Sequence, residues 1–389
     1  MTDSTIHASD IQQAQARISS EIAPTPLQYC ARLSAETGCE VYLKREDLQD
    51  VRSYLQDVRS YKIRGALNGM SNVPQEERGR ILVHGGDQVE LVVVGANFDE
   101  AAAAAHADAA ERDATFIEPF DARDTITGQG TVAAEVLAQL SAKGKSLDTI
   151  VVPVGGGGLI SGITSYVADM APQTRVVGME PEGAASLRAA FDHGGPVTLE
   201  EVDPFVDGAA VKRLGALPYE ILQANRERLS FDTVSEGAVC TDLLNLYQNE
   251  GIIAEPAGAL SVAGLHQLDL EPGSTVVCVI SGGNNDVLRY AEIMERSLVH
   301  RGLKHYFLVN FPQEPGQLRN FLHEILGPTD DITLFEYLKR NNRETGAALV
   351  GLQLSRAEEL EGLLERMGES KISVQYLKPG TPEYEFLVA

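Results

Sequence analysis

The sequence predicts an α/β fold with a parallel sheet, followed by a smaller domain of strands and helices. Three observations lead to this prediction. Short apolar segments alternate with helical patterns through the middle of the chain, glycines directly follow two of these segments, and the amphipathic pattern changes after Gly302. Short apolar strands that alternate with helices are typical of a parallel sheet covered on both faces. A chain of 389 residues is long enough for about two or three domains.

The elements before Gly302 follow from local patterns. Ser9 and Gln12 form an S-x-x-Q capping pattern, and Pro24 and Pro26 end the helix that it opens. Strands are predicted at residues 41–43, 90–94, 115–117, 149–154, 176–179 and 275–280, and helices at residues 101–111, 132–140 and 160–170.

The segment after Gly302 predicts the order β-α-β-β-α-β, which is the ferredoxin-like arrangement. Its strands are predicted at residues 305–311, 332–338, 347–354 and 372–377. One helical face contains Leu318, Phe321, Leu322 and Ile325, and the other contains Leu360, Leu363, Leu364 and Met367.

Charge and composition exclude several classes of function. The net charge is −24, whereas nucleic-acid binding generally needs a basic face. No apolar run approaches the roughly 20 residues that span a bilayer, and the N-terminus lacks a secretory pattern. The 4 cysteines form no C-x-x-C pair, so neither a metal site nor a disulfide framework is predicted. We expect a cytoplasmic metabolic enzyme.

Lys62 is the candidate for covalent chemistry. A single lysine is usually a solvated surface group. Here, however, Ser60 and Tyr61 precede it, and a predicted helix opens at Arg64 behind it. The positive end of a helix dipole favours loss of the lysine proton, which gives the neutral amine that a Schiff base requires.

The second candidate is a glycine-rich loop, formed by Gly155, Gly156, Gly157, Gly158 and Leu159. It joins a buried-type strand to a helix, so its glycines and the helix N-terminus are suited to binding an anion. A G-x-G-x-x-G nucleotide motif is excluded because Ile160 and Ser161 occupy its last position, and no G-x-x-x-x-G-K-[ST] motif is present. A purely structural turn remains open as an alternative.

Ser281 is the third candidate, in the segment S-G-G-N-N that directly follows the strand at residues 275–280. Ligands of open α/β sheets bind at the carboxyl ends of the strands. The glycine loop and Ser281 both follow such ends, so lysine, loop and serine together are more specific than any one of them.

Five segments together resemble the fold type II pyridoxal-phosphate enzymes. They read K-R-E-D-L-Q, S-Y-K-I-R-G-A, P-V-G-G-G-G-L, N-E-G-I-I-A-E-P-A-G-A and S-G-G-N-N. The segment D-G-A-A-V-K and the tail from Leu303 narrow this resemblance, which covers nearly the whole chain, to biosynthetic threonine ammonia-lyases. It implies a tryptophan-synthase-beta-like catalytic region of two domains and an ACT-like regulatory domain. These domains are the larger catalytic one at residues 1–45 and 127–302, a smaller, truncated one at 46–126, and the regulatory one at 303–389.

The resemblance also implies functional roles. Lys62 matches the Schiff-base lysine, which also acts as the base for proton transfer once it is freed. Gly155 to Leu159 match the cup that holds the phosphate of pyridoxal 5'-phosphate. Ser281 matches the hydroxyl that faces the pyridine nitrogen. The implied reaction converts L-threonine to 2-oxobutanoate and ammonia, the first step of isoleucine biosynthesis. Isoleucine is the implied feedback inhibitor, bound by the ACT-like domain, and the implied assembly is a homotetramer.

The sequence departs from the family pattern in two places. The family's S-x-G-N-H-x-x-G segment, which contacts the substrate carboxylate and the cofactor, is absent. By the resemblance, the gap falls at the Arg80–Ile81 join, where a strand-helix-strand unit of roughly 30 or more residues is missing. The segment LQDVRSY at residues 48–54 is repeated at 55–61. We therefore expect poor cofactor binding and little threonine turnover. A non-catalytic isoleucine-binding protein and a serine ammonia-lyase are the alternatives, although the latter leaves the tail unexplained.

Overall fold

The computed structural model describes residues 5–49, 58–74, 81–82, 98–338 and 345–388. These residues belong to two compact units, Met1–Val287 and Leu288–Ala389. The predicted strand at 90–94, Arg80 at the join, and residues 50–57 of the repeat lie outside the described residues. Within the described part, no helix is both long and apolar enough to cross a membrane.

The first unit is built on a six-stranded sheet. The strands described in this unit are β1 (Leu27–Tyr29), β2 (Glu40–Arg45), β3 (Ile81–Leu82), β4 (Thr115–Phe116), β5 (Thr149–Pro153), β6 (Arg175–Pro181), β7 (Leu229–Val234) and β8 (Thr275–Ile280). The sheet has the order β1-β2-β8-β5-β6-β7, and every pair in it is parallel except β1 with β2. All residues of β5 and β8 are buried, as expected for strands covered on both faces. The predicted parallel sheet is confirmed, with one antiparallel edge strand added.

Helices accompany these strands along the chain. They are α1 (Ala8–Ile18), α2 (Ala31–Thr37), α3 (Lys62–Asn72), α4 (Phe98–Glu111), α5 (Arg123–Ser141), α6 (Gly158–Met170), α7 (Ser186–His193), α8 (Ala216–Ala224), α9 (Glu236–Glu250) and α10 (Pro256–Ala263). The predicted cap of the first helix was wrong. The helix begins at Ala8, and its N-cap is His7, whose backbone N–H donates to Asp10. It ends at Ile18, well before Pro24, because residues 19–21 turn away from the helix.

A second, smaller sheet in this unit consists of β3 and β4, which pair in parallel. Strand β3 begins at Ile81, immediately after the join that the sequence analysis singled out. Helix α3 precedes the join and packs against α5 of the larger part. The elements that flank the missing family segment are therefore present on both sides of it.

The second unit contains the predicted β-α-β-β-α-β order. Its elements are α11 (Tyr290–His300), β9 (Lys304–Pro312), α12 (Gln317–Asn320), β10 (Asp331–Leu338), β11 (Thr345–Gln353), α13 (Glu359–Glu369), β12 (Ser373–Leu377) and α14 (Pro382–Leu387). The antiparallel sheet has the order β10-β11-β9-β12, as in ferredoxin-like folds. Gly302, where the sequence places a boundary, lies inside this unit after α11.

The helical faces of the second unit are narrower than predicted. Phe321 and Ile325, in a π-helical turn after α12, are buried, and so are Leu363 and Met367 of α13. Three other leucines of the predicted faces, Leu318, Leu322 and Leu364, are exposed. On each helix the two buried residues are four apart, so only the centre of each predicted face reaches the core.

Candidate active site

The site is defined by two neighbouring strands of the large sheet. Strands β5 and β8 are parallel, with Val151 opposite Cys278. Val154 and Ser281, each three residues further on, therefore leave the sheet at the same edge. The glycine loop begins directly after Val154, and Ser281 is buried. The topology thus brings the loop and the serine together, although they are far apart in sequence.

Lys62 is tied to this edge through the backbone. The N–H of Tyr61 donates to the carbonyl oxygen of Ser281 at 3.1 Å, and Ser60 forms an isolated antiparallel bridge with Gly282. Lys62 is the first residue of α3 and is solvent-exposed. The three candidates from the sequence, Lys62, the glycine loop and Ser281, therefore meet at one edge of the sheet.

The glycine loop is shaped by close packing. Gly157 is the N-cap of α6 and has a φ of 90°, a conformation that favours glycine. A Cβ on Gly156 would lie 2.4 Å from the ring of Phe120, and one on Gly158 would lie 3.0 Å from the Cβ of Phe120. Because the first N–H groups of a helix have no partner inside the helix, the start of α6 offers donors to an anion.

Beneath Lys62 lies a buried network of charges that the sequence analysis did not identify. Arg64 is 1% exposed, and its Nε and Nη2 donate to Glu46 at 2.8 and 2.9 Å. Its Nη1 and Nη2 donate to Glu135 at 2.7 and 3.0 Å, and Nη1 also donates to the hydroxyl of Thr131. All five guanidinium N–H groups therefore have partners. This network fixes the first turn of α3 to β2 and α5.

A second cation completes the network. Lys44 is fully buried and donates to Glu135 and to the carbonyl oxygen of Thr25. The Thr25 hydroxyl donates to Glu46 at 2.6 Å. Two cations and two carboxylates leave the network without net charge, which a buried site requires. The signal in the sequence was the charged run K-R-E-D at the end of an apolar strand, since such residues are rarely buried unless paired.

Two family models match the chain. The model described as "Pyridoxal-phosphate dependent enzyme" matches residues 72–282, and "C-terminal regulatory domain of Threonine dehydratase" matches residues 295–387. The chain is 63% identical to "L-threonine dehydratase biosynthetic IlvA" of Corynebacterium glutamicum, over 98% of this chain and 95% of that protein. It is 54% identical to the protein of the same name in Mycobacterium tuberculosis, over 98% and 96%.

This chain belongs to the biosynthetic threonine dehydratase family.

Solved structures agree with this membership. The processed form of threonine deaminase isoform 2 from Solanum lycopersicum is 27% identical, with a TM-score of 0.65, and the similarity covers 76% of this chain and 95% of that one. The threonine deaminase from T.th. is 29% identical, with a TM-score of 0.59, over 72% of this chain and 99% of that one. The predicted fold type II architecture and the regulatory domain of the threonine dehydratase family are thereby confirmed.

The comparison also bears on the missing segment. The alignment with the C. glutamicum threonine dehydratase runs over 422 residues, whereas this chain has 389. Part of that alignment therefore has no counterpart here. This agrees with the absence of S-x-G-N-H-x-x-G from the sequence.

A substitution of Gly156 tests whether the loop of this threonine dehydratase family member binds phosphate. We expect Gly156→Ala to weaken pyridoxal-phosphate binding moderately, because its Cβ pushes against the Phe120 ring. Gly156→Asp adds a negative charge beside the phosphate, which should cost a further factor on the order of 100 in affinity at an effective dielectric constant of about 20. Cofactor titration of both variants measures the two effects, and thermal unfolding reports the packing effect separately.

The control is Gly195→Asp, because a Cβ at Gly195 meets no atom within 4 Å. It should bind the cofactor as the wild type does. Equal cofactor affinity of the Ala and Asp variants at Gly156 would show that the loop is only a structural turn.

Proposed function

We propose that the chain carries the threonine dehydratase reaction of its family, the conversion of L-threonine to 2-oxobutanoate and ammonia, at the edge formed by β5 and β8. The observation that supports the proposal is the backbone hydrogen bond from Tyr61, next to Lys62, to Ser281, since Ser281 follows β8 and the glycine loop follows the neighbouring strand β5. This arrangement occurs in a chain that is 63% identical to a biosynthetic L-threonine dehydratase over nearly its full length.

The described residues fit pyridoxal phosphate, on which the family depends. Lys62 offers an exposed amine for covalent attachment. The loop from Gly155 to Leu159 offers N–H groups at the start of α6 for the phosphate. Ser281 would offer a hydroxyl, rather than a carboxylate, to the pyridine nitrogen, and would leave that nitrogen largely unprotonated.

When bound, pyridoxal phosphate supplies an electron-withdrawing ring next to the α-carbon of the amino acid. Lys62, once released from the cofactor, is the group that takes the α-proton. Loss of the β-hydroxyl as water, followed by hydrolysis that releases ammonia, balances the reaction. By leaving the ring nitrogen unprotonated, the Ser281 hydroxyl would favour this elimination over transamination.

The family's S-x-G-N-H-x-x-G segment is the part of the machinery that is absent from this chain. A substrate carboxylate loses water when it enters the site, which is costly unless fixed donors replace that water. We therefore propose that the chain turns over little threonine in its present form. The same absence favours the second candidate function, a non-catalytic protein that binds isoleucine through its regulatory domain. Turnover assays with threonine and serine also test a serine ammonia-lyase.

Cofactor attachment is tested directly by chemical trapping. We expect borohydride reduction in the presence of pyridoxal phosphate, followed by peptide mapping, to place the adduct on Lys62. Lys62→Ala should abolish that adduct. In the described part of the chain, no other lysine directly follows a residue whose backbone N–H donates to Ser281, at the end of β8. The buried Lys44, and Lys212, whose Nζ donates to the carbonyl oxygen of Glu200 at 3.3 Å, serve as internal controls, and a label on either of them in the wild type contradicts the assignment.

For the second unit, we propose isoleucine as an effector, bound in a cavity beside the turn between β9 and α12. The cavity has a volume of about 410 Å³ and is lined by Phe311, Pro315, Leu318, Phe335 and Tyr337, among others. Aromatic and aliphatic side chains suit a branched apolar side chain. Glu314 and Gln317, which also line the cavity, offer polar partners to the amino-acid head group.

Calorimetric titration with isoleucine tests this proposal. Leu318 is 45% exposed, so Leu318→Lys should leave the fold intact while adding a charge to an apolar cavity; we expect binding to weaken by about tenfold or more. The matched control is Leu364→Lys on α13, where the leucine is 37% exposed and lies outside this cavity. Equal isoleucine binding after removal of residues 303–389 would refute the role of the second unit. The homotetramer and the cytoplasmic location stay predictions.

A further inference from the structure

Glu255, which no motif of the sequence analysis assigned to chemistry, lies at the same edge of the sheet. It precedes α10, and its backbone N–H donates to the carbonyl oxygen of Gly282 at 3.1 Å. A Cβ on Gly282 would lie 2.4 Å from Oε1 of Glu255, and one on Gly208 would lie 3.2 Å from the same atom. The carboxyl group therefore fills the space that these two glycines leave open. Glu255 is only 9% exposed.

The charges around this carboxyl group come from several elements. Burial raises the pKa of Glu255, and the charge of Lys62 at the start of α3 is the strongest effect that opposes the increase. Asp207 raises the pKa further, while the backbone N–H of Asn284 and the charge of Arg59 lower it. Burial, with a contribution from Glu255, also raises the pKa of the Tyr61 phenol, so Tyr61 stays neutral.

We propose that Glu255 is a positioning residue that shares a proton with Lys62. Transfer of one proton from the Lys62 ammonium group to the Glu255 carboxylate leaves a neutral amine and a neutral carboxyl group, with no other reactant required. Burial disfavours the charged form of the carboxyl group, which makes it a good proton acceptor. The neutral amine is the form that attacks an aldehyde. This inference rests on the proposed role of Lys62 as the attachment site.

The proton-sharing pair predicts a distinctive pH profile. Lys62 gains reactivity when the pair loses one proton, which happens at the raised pKa of Glu255. The initial rate of borohydride-trapped pyridoxal-phosphate attachment to Lys62, measured on the full chain from roughly pH 5 to 9, should therefore rise in a step that comes from Glu255 and lies above the usual pH range of a carboxyl group. Glu255→Gln should lose this step, and Glu255→Asp should retain it.

Glu180→Gln is the matched control. Glu180 is another buried carboxyl group, its pKa is raised by burial to about 7, and it accepts the N–H groups of Leu187 and Arg188 at 2.6 and 2.9 Å. This variant should keep the step. A step that persists in Glu255→Gln overturns the proposal, and so does a wild-type profile without a step above the usual carboxyl range, whether or not any variant folds. An adduct that maps to a residue other than Lys62 contradicts the proposed function instead.

Discussion

Restoring the missing segment is expected to raise threonine turnover on the order of 10²–10³-fold, which is the effect of fixed donors at a reacting centre. The altered chain has a family-like segment containing S-x-G-N-H-x-x-G between Arg80 and Ile81, and lacks one LQDVRSY copy. The added donors replace the water that the substrate carboxylate loses. The added strands also offer new pairing partners to the small sheet of β3 and β4. Production of 2-oxobutanoate with excess cofactor measures the result.

The described backbone is compatible with both changes. Helix α3 precedes the insertion point, and β3, already paired with β4, begins directly after it. The N–H of Arg59 donates to the carbonyl oxygen of Gln49 at 3.1 Å, so the chain ends on either side of residues 50–57 are already held together. With seven residues removed, two would remain between Gln49 and Arg59, the number that a β-turn closed by this hydrogen bond contains.

Four proteins separate the contributions: the present chain, the insertion alone, the deletion alone, and both changes together. We expect the insertion to account for most of the gain. Turnover by the present chain comparable to that of an intact family member would show that the segment is dispensable. If the doubly altered chain also fails, the assignment of catalysis to this site weakens. Serine assayed beside threonine tests the substrate preference in the same series.

Replacing Arg64 by Met is expected to lower the free energy of unfolding of the first unit by about 3–5 kcal/mol, because it removes the cation that pairs with both buried carboxylates and leaves the network with a net negative charge. Arg64→Lys keeps the charge but lacks the five-donor geometry that engages Glu46, Glu135 and Thr131 together, so its loss should be intermediate. Urea unfolding measures both variants. Arg32→Met is the control, since Arg32 pairs with Glu36 and Glu250 near the surface, where ion pairs contribute little.

The same network predicts how stability depends on pH. Burial alone would raise the pKa of Glu46, but the charge and hydrogen bonds of Arg64 outweigh it, so the pKa lies below its usual value. A lowered carboxyl pKa stabilises the fold at neutral pH, and this stabilisation is lost as the pH falls through the folded-state pKa. Acid should therefore destabilise the wild type more steeply than Arg64→Met. Parallel pH dependences in the two proteins would place the stabilising charge elsewhere.

The sequence by itself determined the elements and the chemistry-bearing motifs. The strand at residues 275–280 matches β8, and the second unit has the predicted order of elements. The helix predicted to open at Arg64 is present as α3, although it begins two residues earlier, at Lys62. These features were predictable because they depend on local periodicity and on which residue types start and end a helix. Strand β7 was missed because its residues, unlike those of β8, are mostly only partly buried and give no apolar run.

Only the tertiary structure decided which distant residues meet. The pairing of β5 with β8, the bond from Tyr61 to Ser281, and the enclosure of Glu255 between Gly208 and Gly282 each join segments that local patterns do not connect. The partners of Arg64 show the physical reason. A buried charge is stable only when opposite charges reach it, and those charges come from Glu46, directly after β2, and from Glu135 of α5, which are apart in sequence and adjacent only after folding.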